Sequence, residues 1–159
     1  MSKAVKTLKG TIASLALTLN TLFWCVPVYS FYFLKILVPY GPWKNLCTRI
    51  ITFCAEQFCR FNGWYISTLY SVHWDFHIPE NLSKEKTYIV NCNHQSWVDI
   101  VVLQKAFTGK IPLLKFFIKR ELRFVPLLGV AWMALDFPMM RRYSKEYLAK
   151  HPEKQGLDF

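Results

Sequence analysis

One uncharged apolar run near the N-terminus limits what this chain can fold into more than any other feature. The run covers residues 10–34, which is 25 positions without a charge, and three lysines precede it. A helix needs about 20 apolar residues to cross a bilayer, and the run is too long for the apolar core of a signal peptide. Pro27 within it allows a kink or a re-entrant shape. We therefore predict a membrane anchor, and the alternative is a buried helix pair of a soluble protein.

A second apolar segment, residues 46–72, has its apolar side chains at helical spacing but also carries Arg49, Glu56 and Arg60. Proline and glycine punctuate the join between the two segments, at residues 39–42. The pattern predicts a helical hairpin, so residues 1–72 form a membrane-associated anchor. Lysines and arginines occur on both sides of the first run, so the positive-inside rule does not decide its orientation. The sequence also leaves open whether the anchor spans the bilayer or only enters it.

The net charge of the chain helps to decide between a membrane surface and nucleic acid as the partner. The 159 residues contain 20 Lys and Arg against 10 Asp and Glu, a net charge of +10, and residues 1–72 hold seven basic residues and one acid. High basicity combined with long apolar runs favours a membrane surface over nucleic acid, which we do not expect as a partner. The five cysteines are odd in number and contain no CxxC pair, so we expect reduced thiols and no zinc site.

The second half, residues 73–159, alternates between strand-like and helix-like segments. Residues 73–78 alternate with period two, and residues 88–92, 113–118 and 131–139 are short and apolar. Residues 99–107 have helical character, and residues 144–159 form a short polar helix and a tail. Helices between strands predict an α/β fold with a partial, mostly parallel sheet and flanking helices. Three or four strands leave an exposed sheet edge, so we expect the sheet to be incomplete at its C-terminal side.

The candidate site follows the predicted strand 88–92. His94 stands where that strand ends, which is where α/β sheets bind ligands, and Asp99 follows five residues later in the next helix. With Ser96 as the N-cap, one helical turn brings Asp99 back to the imidazole, and a carboxylate there increases its basicity. Such a pair can deprotonate a hydroxyl. The alternative is that Ser96 and Asp99 form only a capping box.

Other side chains offer weaker chemistry. Cys92 precedes His94 by two residues, which places both on one face of a strand and makes a nucleophilic Cys–His pair conceivable. His73 and His77 flank another predicted strand, but no third ligand stands at metal-binding spacing, so no metal is expected.

These residues carry a resemblance to a known family. The segment 93–99, Asn-His-Gln-Ser-Trp-Val-Asp, resembles the N-H-x4-D motif of the glycerolipid (lysophosphatidic acid type) acyltransferases. Residues 117–122, then Pro126, Gly129 and residues 137–142, resemble the second conserved block of that family. The similarity runs from the apolar N-terminus to near residue 150, and its overall pattern is similar to bacterial inner-membrane members.

The resemblance implies roles for particular residues. His94 would be the general base and Asp99 would orient it, while Arg142, Arg141 and Lys119 would bind the acceptor. Such enzymes transfer an acyl group from acyl-CoA or acyl carrier protein to a hydroxyl of a glycerol phosphate or lysophospholipid, and need no permanently bound cofactor. The expected location is the inner (plasma) membrane, with membrane lipids as partners and the active site on the cytoplasmic side.

The family's third, Glu-Gly-Thr-Arg-like motif and its Pro-rich fourth motif are missing, and Arg141 stands where many relatives carry an acid. We therefore expect an N-terminal portion of a family member, with little or no activity as written. The alternative function is a non-enzymatic membrane fragment, a pseudoenzyme that binds lipid or a partner. The basic runs at residues 115–123 and 141–142 have a simpler alternative of their own, which is a surface facing solvent or lipid headgroups.

Overall fold

The computed structural model describes residues 2–141, 143, 145–154 and 156, and for Lys145 it describes only the backbone. The described chain is mostly helical and divides into two compact units, residues 1–114 and 115–159. The first unit contains α1 (Lys3–Leu37), α2 (Gly41–Tyr70) and α3 (Val98–Phe107). The second contains β1 (Ile118–Lys119), a 3₁₀ helix (Arg120–Phe124), α4 (Leu128–Ala134), β2 (Met139–Met140), α5 (Lys145–Lys150) and a 3₁₀ turn (Pro152–Lys154).

Helix α1 contains the whole uncharged run. The Ser2 hydroxyl caps its start by accepting the Val5 N–H at 3.4 Å, and Lys35 lies in its last turn, where a cation complements the helix dipole. The helix continues through Pro27 without ending. It is long and apolar enough to cross a membrane, and most of its apolar stretch is exposed. In the described part of the chain, α2 does not meet the same criterion, because its polar and charged side chains together make it less apolar.

Helices α1 and α2 pack against each other, as the sequence predicts for a hairpin. Pro42 stands in the first turn of α2, where a missing N–H does not weaken the helix. The buried face of α2 includes Cys47, Ile51 and Cys54. A polar contact crosses this interface, because the buried Asn20 side chain donates to Asn62 Oδ1 at 2.9 Å and to the Phe58 carbonyl at 3.2 Å.

Helix α2 also binds the segment that follows it. Lys84 Nζ lies 2.7 and 2.8 Å from the two carboxylate oxygens of Glu56, which is almost buried near the middle of α2. A buried carboxylate requires such a partner. Because α2 packs against α3 as well, the first compact unit extends to residue 114.

The two predicted strands of this unit do not form. Residues 73–78 keep the predicted alternation, with Trp74, Phe76 and Ile78 half-buried and the side chains between them exposed, but no neighbouring strand pairs with them. Residues 88–92 are also unpaired, and Ile89 is 98% exposed. An alternating or apolar pattern indicates a strand only where a second strand satisfies its backbone groups, and the described residues supply none here.

The second unit contains the only sheet of the described residues. Strands β1 and β2 pair in parallel, with Ile118 beside Met139 and Lys119 beside Met140. Of the expected strands 113–118 and 131–139, only the last residue of each lies in an observed strand, so the predicted extents are wrong. Residues 131–134 belong to α4 instead. Apolar runs this short do not distinguish a strand from a helix by periodicity. The observed architecture is thus an apolar helical hairpin followed by a small parallel sheet, in place of a three- or four-stranded α/β sheet.

Candidate active site

The site of the first unit is built at the start of α3. The helix begins at Val98, with Trp97 at the N-cap position and no side-chain hydrogen bond from Trp97. The predicted cap, Ser96, lies one residue earlier, and its hydroxyl accepts the Val98 N–H at 3.2 Å. Ser96 therefore still satisfies one of the free N–H groups of the helix start.

Asp99 turns back from the first turn of α3 onto the preceding loop. Its Oδ2 accepts the backbone N–H of Gln95 at 2.6 Å and that of Ser96 at 2.8 Å. These two backbone hydrogen bonds, followed by the nearby His94 ring, hold the pKa of Asp99 below its ordinary value. Hydrogen bonds to the charged form favour that form, so Asp99 is ionised at neutral pH.

His94 contacts the same carboxylate oxygen. Its Nδ1 lies 3.3 Å from Asp99 Oδ2, and the side chains of His94 and Asp99 are 60% and 30% exposed. A carboxylate at Nδ1 selects the tautomer with the proton on that nitrogen, which leaves Nε2 as the basic atom. Nε2 bonds to no residue that the structure describes, so it is open to a substrate.

The two interpretations of this motif are therefore compatible. Asp99 bonds to the backbone before the helix, as a capping residue does, and it contacts the His94 ring with the same oxygen. The capping bonds hold the carboxylate beside the His94 ring.

The start of α3 offers fewer free backbone donors than its sequence suggests. The N–H groups of Gln95 and Ser96 are taken by Asp99, that of Val98 by the Ser96 hydroxyl and that of Asp99 by the Ser96 carbonyl. Within residues 95–99, the Trp97 N–H is the one that bonds to no described residue. It is the donor that an oxyanion could use here.

The geometry of the described residues adds no support for the two alternative sites, a nucleophilic Cys–His pair and a metal site. Cys92 is exposed and makes no hydrogen bond to His94, whose ring contacts Asp99 instead. His77 Nδ1 lies 3.8 Å from Asp75 on an open surface, with both side chains more than three-quarters exposed. No group of three or more His, Cys, Asp or Glu suited to a metal occurs among the described residues.

The predicted acceptor-binding residues lie in the second unit. Lys119 is exposed on β1, and Arg141 follows β2 directly, so the parallel pairing brings these two positions close in register. Arg142 lies outside the described residues. Arg141 donates to the Tyr143 hydroxyl at 3.3 Å, and this hydrogen bond raises the pKa of Arg141.

A small cavity accompanies Arg141. It has a volume of about 190 Å³ and is lined by Arg120, Arg123, Met139, Arg141 and Tyr143. Lys119 does not line it. The basic run of residues 115–123 was the sequence signal for Arg120 and Arg123, but linear spacing alone does not tell which of its cations face a common space.

A model of the acyltransferase family matches residues 73–155, just over half of the chain. The chain belongs to the acyltransferase family. The match contains the His94–Asp99 pair and most of the second unit. A search of curated proteins and a search of solved structures each find no match. Membership of the acyltransferase family indicates acyl transfer as the general reaction, and the long apolar helix α1 is consistent with a place at a membrane.

Proposed function

We propose that this acyltransferase moves an acyl group from a thioester, either acyl-CoA or acyl carrier protein, to a hydroxyl of a glycerol phosphate or lysophospholipid. The observation that carries the proposal is the His94 Nδ1–Asp99 Oδ2 distance of 3.3 Å within the matched family segment. A base held in this way suits a reaction in which the acyl donor is already activated.

The proposed reaction moves a proton from the acceptor to His94 and then from His94 to the leaving group. His94 Nε2 takes the proton of the acceptor hydroxyl while the hydroxyl oxygen bonds to the thioester carbonyl carbon. The tetrahedral intermediate then collapses, the carbon–sulfur bond breaks, and the proton on Nε2 passes to the leaving thiolate. Asp99 stays ionised throughout and stabilises the imidazolium, while the Trp97 N–H is the candidate donor to the oxyanion.

The acceptor and the membrane complete the proposal. Arg141, Arg142 and Lys119 are proposed to bind the phosphate of the acceptor, because cationic side chains favour phosphate recognition. Helix α1 is proposed to anchor the enzyme in the inner (plasma) membrane. The active site would face the cytoplasm, and free cysteines among the described residues suit that reducing compartment.

Replacing His94 tests the mechanism. Acyl transfer from a radiolabelled acyl-CoA to lysophosphatidic acid is measured in membranes that contain the full chain, and His94→Ala should reduce the rate by at least about 10²-fold, as expected for loss of a general base. His77→Ala is the matched control, because His77 lies in the same unit beside a carboxylate but on an open surface. We expect it to leave the rate unchanged.

Two results would contradict the proposal. Measurable transfer by the parent chain that His94→Ala retains in full would remove His94 from the reaction. Binding of the parent chain to liposomes without consumption of any thioester would instead favour the non-enzymatic, lipid-binding alternative.

A further inference from the structure

Three arginines line one small cavity of the second unit. Arg120 and Arg123 belong to the 3₁₀ helix, and Arg141 follows β2. Arg141 lies 18 positions after Arg123 in sequence. It comes close to the two arginines of the 3₁₀ helix because β1, which directly precedes that helix, pairs with β2. No ion pair joins any of the three to a carboxylate in the described part of the chain, although Glu121 acts on Arg141 from a longer distance.

The partners that these arginines do have leave their charge in place. The Arg123 guanidinium lies 4.5 Å from the centre of the Phe124 ring, and Arg141 donates to Tyr143. An aromatic face and a hydroxyl orient a guanidinium without neutralising it. Three like charges around one space repel one another, and an anion with several oxygens relieves this repulsion while accepting bidentate hydrogen bonds.

We propose that Arg120, Arg123 and Arg141 form a phosphate-binding cavity, in which Arg120 and Arg123 contribute contacts beyond those that the family resemblance assigns. The cavity volume of about 190 Å³ admits a phosphate together with the group that carries it. The identity of the ligand rests on the proposed function, because that reaction supplies two sources of phosphate. One is the acceptor's phosphomonoester, and the other is the nucleotide part of acyl-CoA.

Backbone packing holds the cavity wall in position. Gly129 of α4 is buried against the 3₁₀ helix, and a Cβ at this position would overlap the backbone carbonyl of Arg123. The Gly129 N–H also donates to the Val125 carbonyl at 2.9 Å. The arginines therefore project from a wall that is fixed on both sides, by α4 and by the β1–β2 pair.

The test compares ligands that differ by one phosphate. Binding to the full chain in detergent micelles is measured by calorimetry, with 1-oleoyl-lysophosphatidate against 1-oleoylglycerol, and with CoA against 3′-dephospho-CoA. Arg120→Gln and Arg123→Gln should each lower the affinity for one of the two phosphate-bearing ligands by about tenfold, as expected for loss of a charge-assisted hydrogen bond. The matching ligand without that phosphate should be unaffected.

Lys115→Gln is the matched control, because Lys115 is exposed, belongs to the same basic run and does not line the cavity. A selective loss for lysophosphatidate assigns the cavity to the acceptor, and a selective loss for CoA assigns it to the donor. The proposal is overturned if Lys115→Gln weakens binding as much as the arginine variants, or if no variant changes either affinity.

Two further variants keep the test decisive. Arg123→Lys retains the charge but loses the planar fork, so a partial loss of affinity is expected even if the glutamine variant does not fold. His77→Ala lies outside both sites and should retain phosphate binding in full. A chain that binds phosphate through this cavity but transfers no acyl group would contradict the proposed function and leave the phosphate cavity intact.

Discussion

At the scale of single residues, Asp99 has the most specific environment in the first unit. One oxygen of this partly exposed side chain accepts two backbone N–H groups and contacts a histidine ring. Neutralising the carboxylate would therefore remove both the fixed loop geometry and the charge beside Nδ1. The residue joins local structure to the proposed chemistry, because the carboxylate that caps α3 also contacts His94.

The low pKa of Asp99 predicts how the loop responds to acid. A lowered pKa in the folded state stabilises the loop at pH values above the ordinary value of 3.8, and this contribution is lost as pH falls through the lower folded-state pKa. The amide proton shifts of Gln95 and Ser96, followed by NMR, should therefore change with an apparent pKa below 3.8. Asp99→Asn should abolish that transition, and a midpoint at or above 3.8 in the parent chain would contradict the prediction.

At the scale of elements, the α1–α2 pair combines an exposed apolar face with a polar contact inside. The Asn20–Asn62 hydrogen bond is buried between two otherwise apolar helix faces. A hydrogen bond in such surroundings aligns the helices, because any shift along the axis leaves two buried amides without partners. The contact therefore sets the register of the hairpin.

A double-mutant cycle measures this contact. Asn20→Ala and Asn62→Ala should each destabilise the hairpin, with a coupling energy of about 0.5–1.5 kcal/mol in their unfolding free energies in detergent. Thr21→Val is the control, because the Thr21 hydroxyl donates only to the Leu17 carbonyl of its own helix. Additive effects of the two alanine variants would show that the amides do not stabilise each other.

The packing of α4 on the 3₁₀ helix makes a second prediction at this scale. Gly129→Ala places a methyl group onto the Arg123 carbonyl, so we expect destabilisation of about 1–3 kcal/mol, typical of overpacking, by thermal unfolding. Gly10→Ala is the control, since no atom lies within 4 Å of a Cβ there and alanine favours the helix. A neutral Gly129→Ala variant would contradict the close packing.

At the scale of the whole molecule, an apolar surface exists that no described part of the protein covers. Along α1 alone, Leu15, Leu19, Phe23 and Val26 are each more than half exposed. Exposed apolar patches of this extent mark interaction sites, and an α-helix of 35 residues is about 52 Å long, which exceeds the thickness of a bilayer's hydrocarbon core. Lipid is the partner that the proposed function assigns to this surface.

Membrane partition tests that assignment. Leu19→Asp places a charge in the middle of the exposed face, and a charged residue there costs about 2.5–3.5 kcal/mol on an insertion scale. The bound fraction in vesicle flotation at high salt should fall accordingly. Asn81→Asp adds the same charge at an exposed position outside α1 and should leave flotation unchanged. Equal flotation of both variants would contradict a role for this face.

Features that depend on neighbours along the chain could be predicted from the sequence. The apolar run became α1, the helix expected at residues 99–107 became α3, and the proximity of Asp99 to His94 followed from one turn of that helix. Each of these depends on residues at most a few positions apart, so composition and helical spacing already contain the necessary information.

Features that require distant segments to meet were decided by the tertiary structure. Residues 88–92 look like a buried strand but have no partner, and β1 and β2 extend over only two residues each. The Asn20–Asn62 contact, the Glu56–Lys84 pair and the three-arginine cavity likewise join residues far apart in the chain. Backbone pairing, register and side-chain convergence are cooperative properties of two segments, and no single segment's pattern specifies its partner.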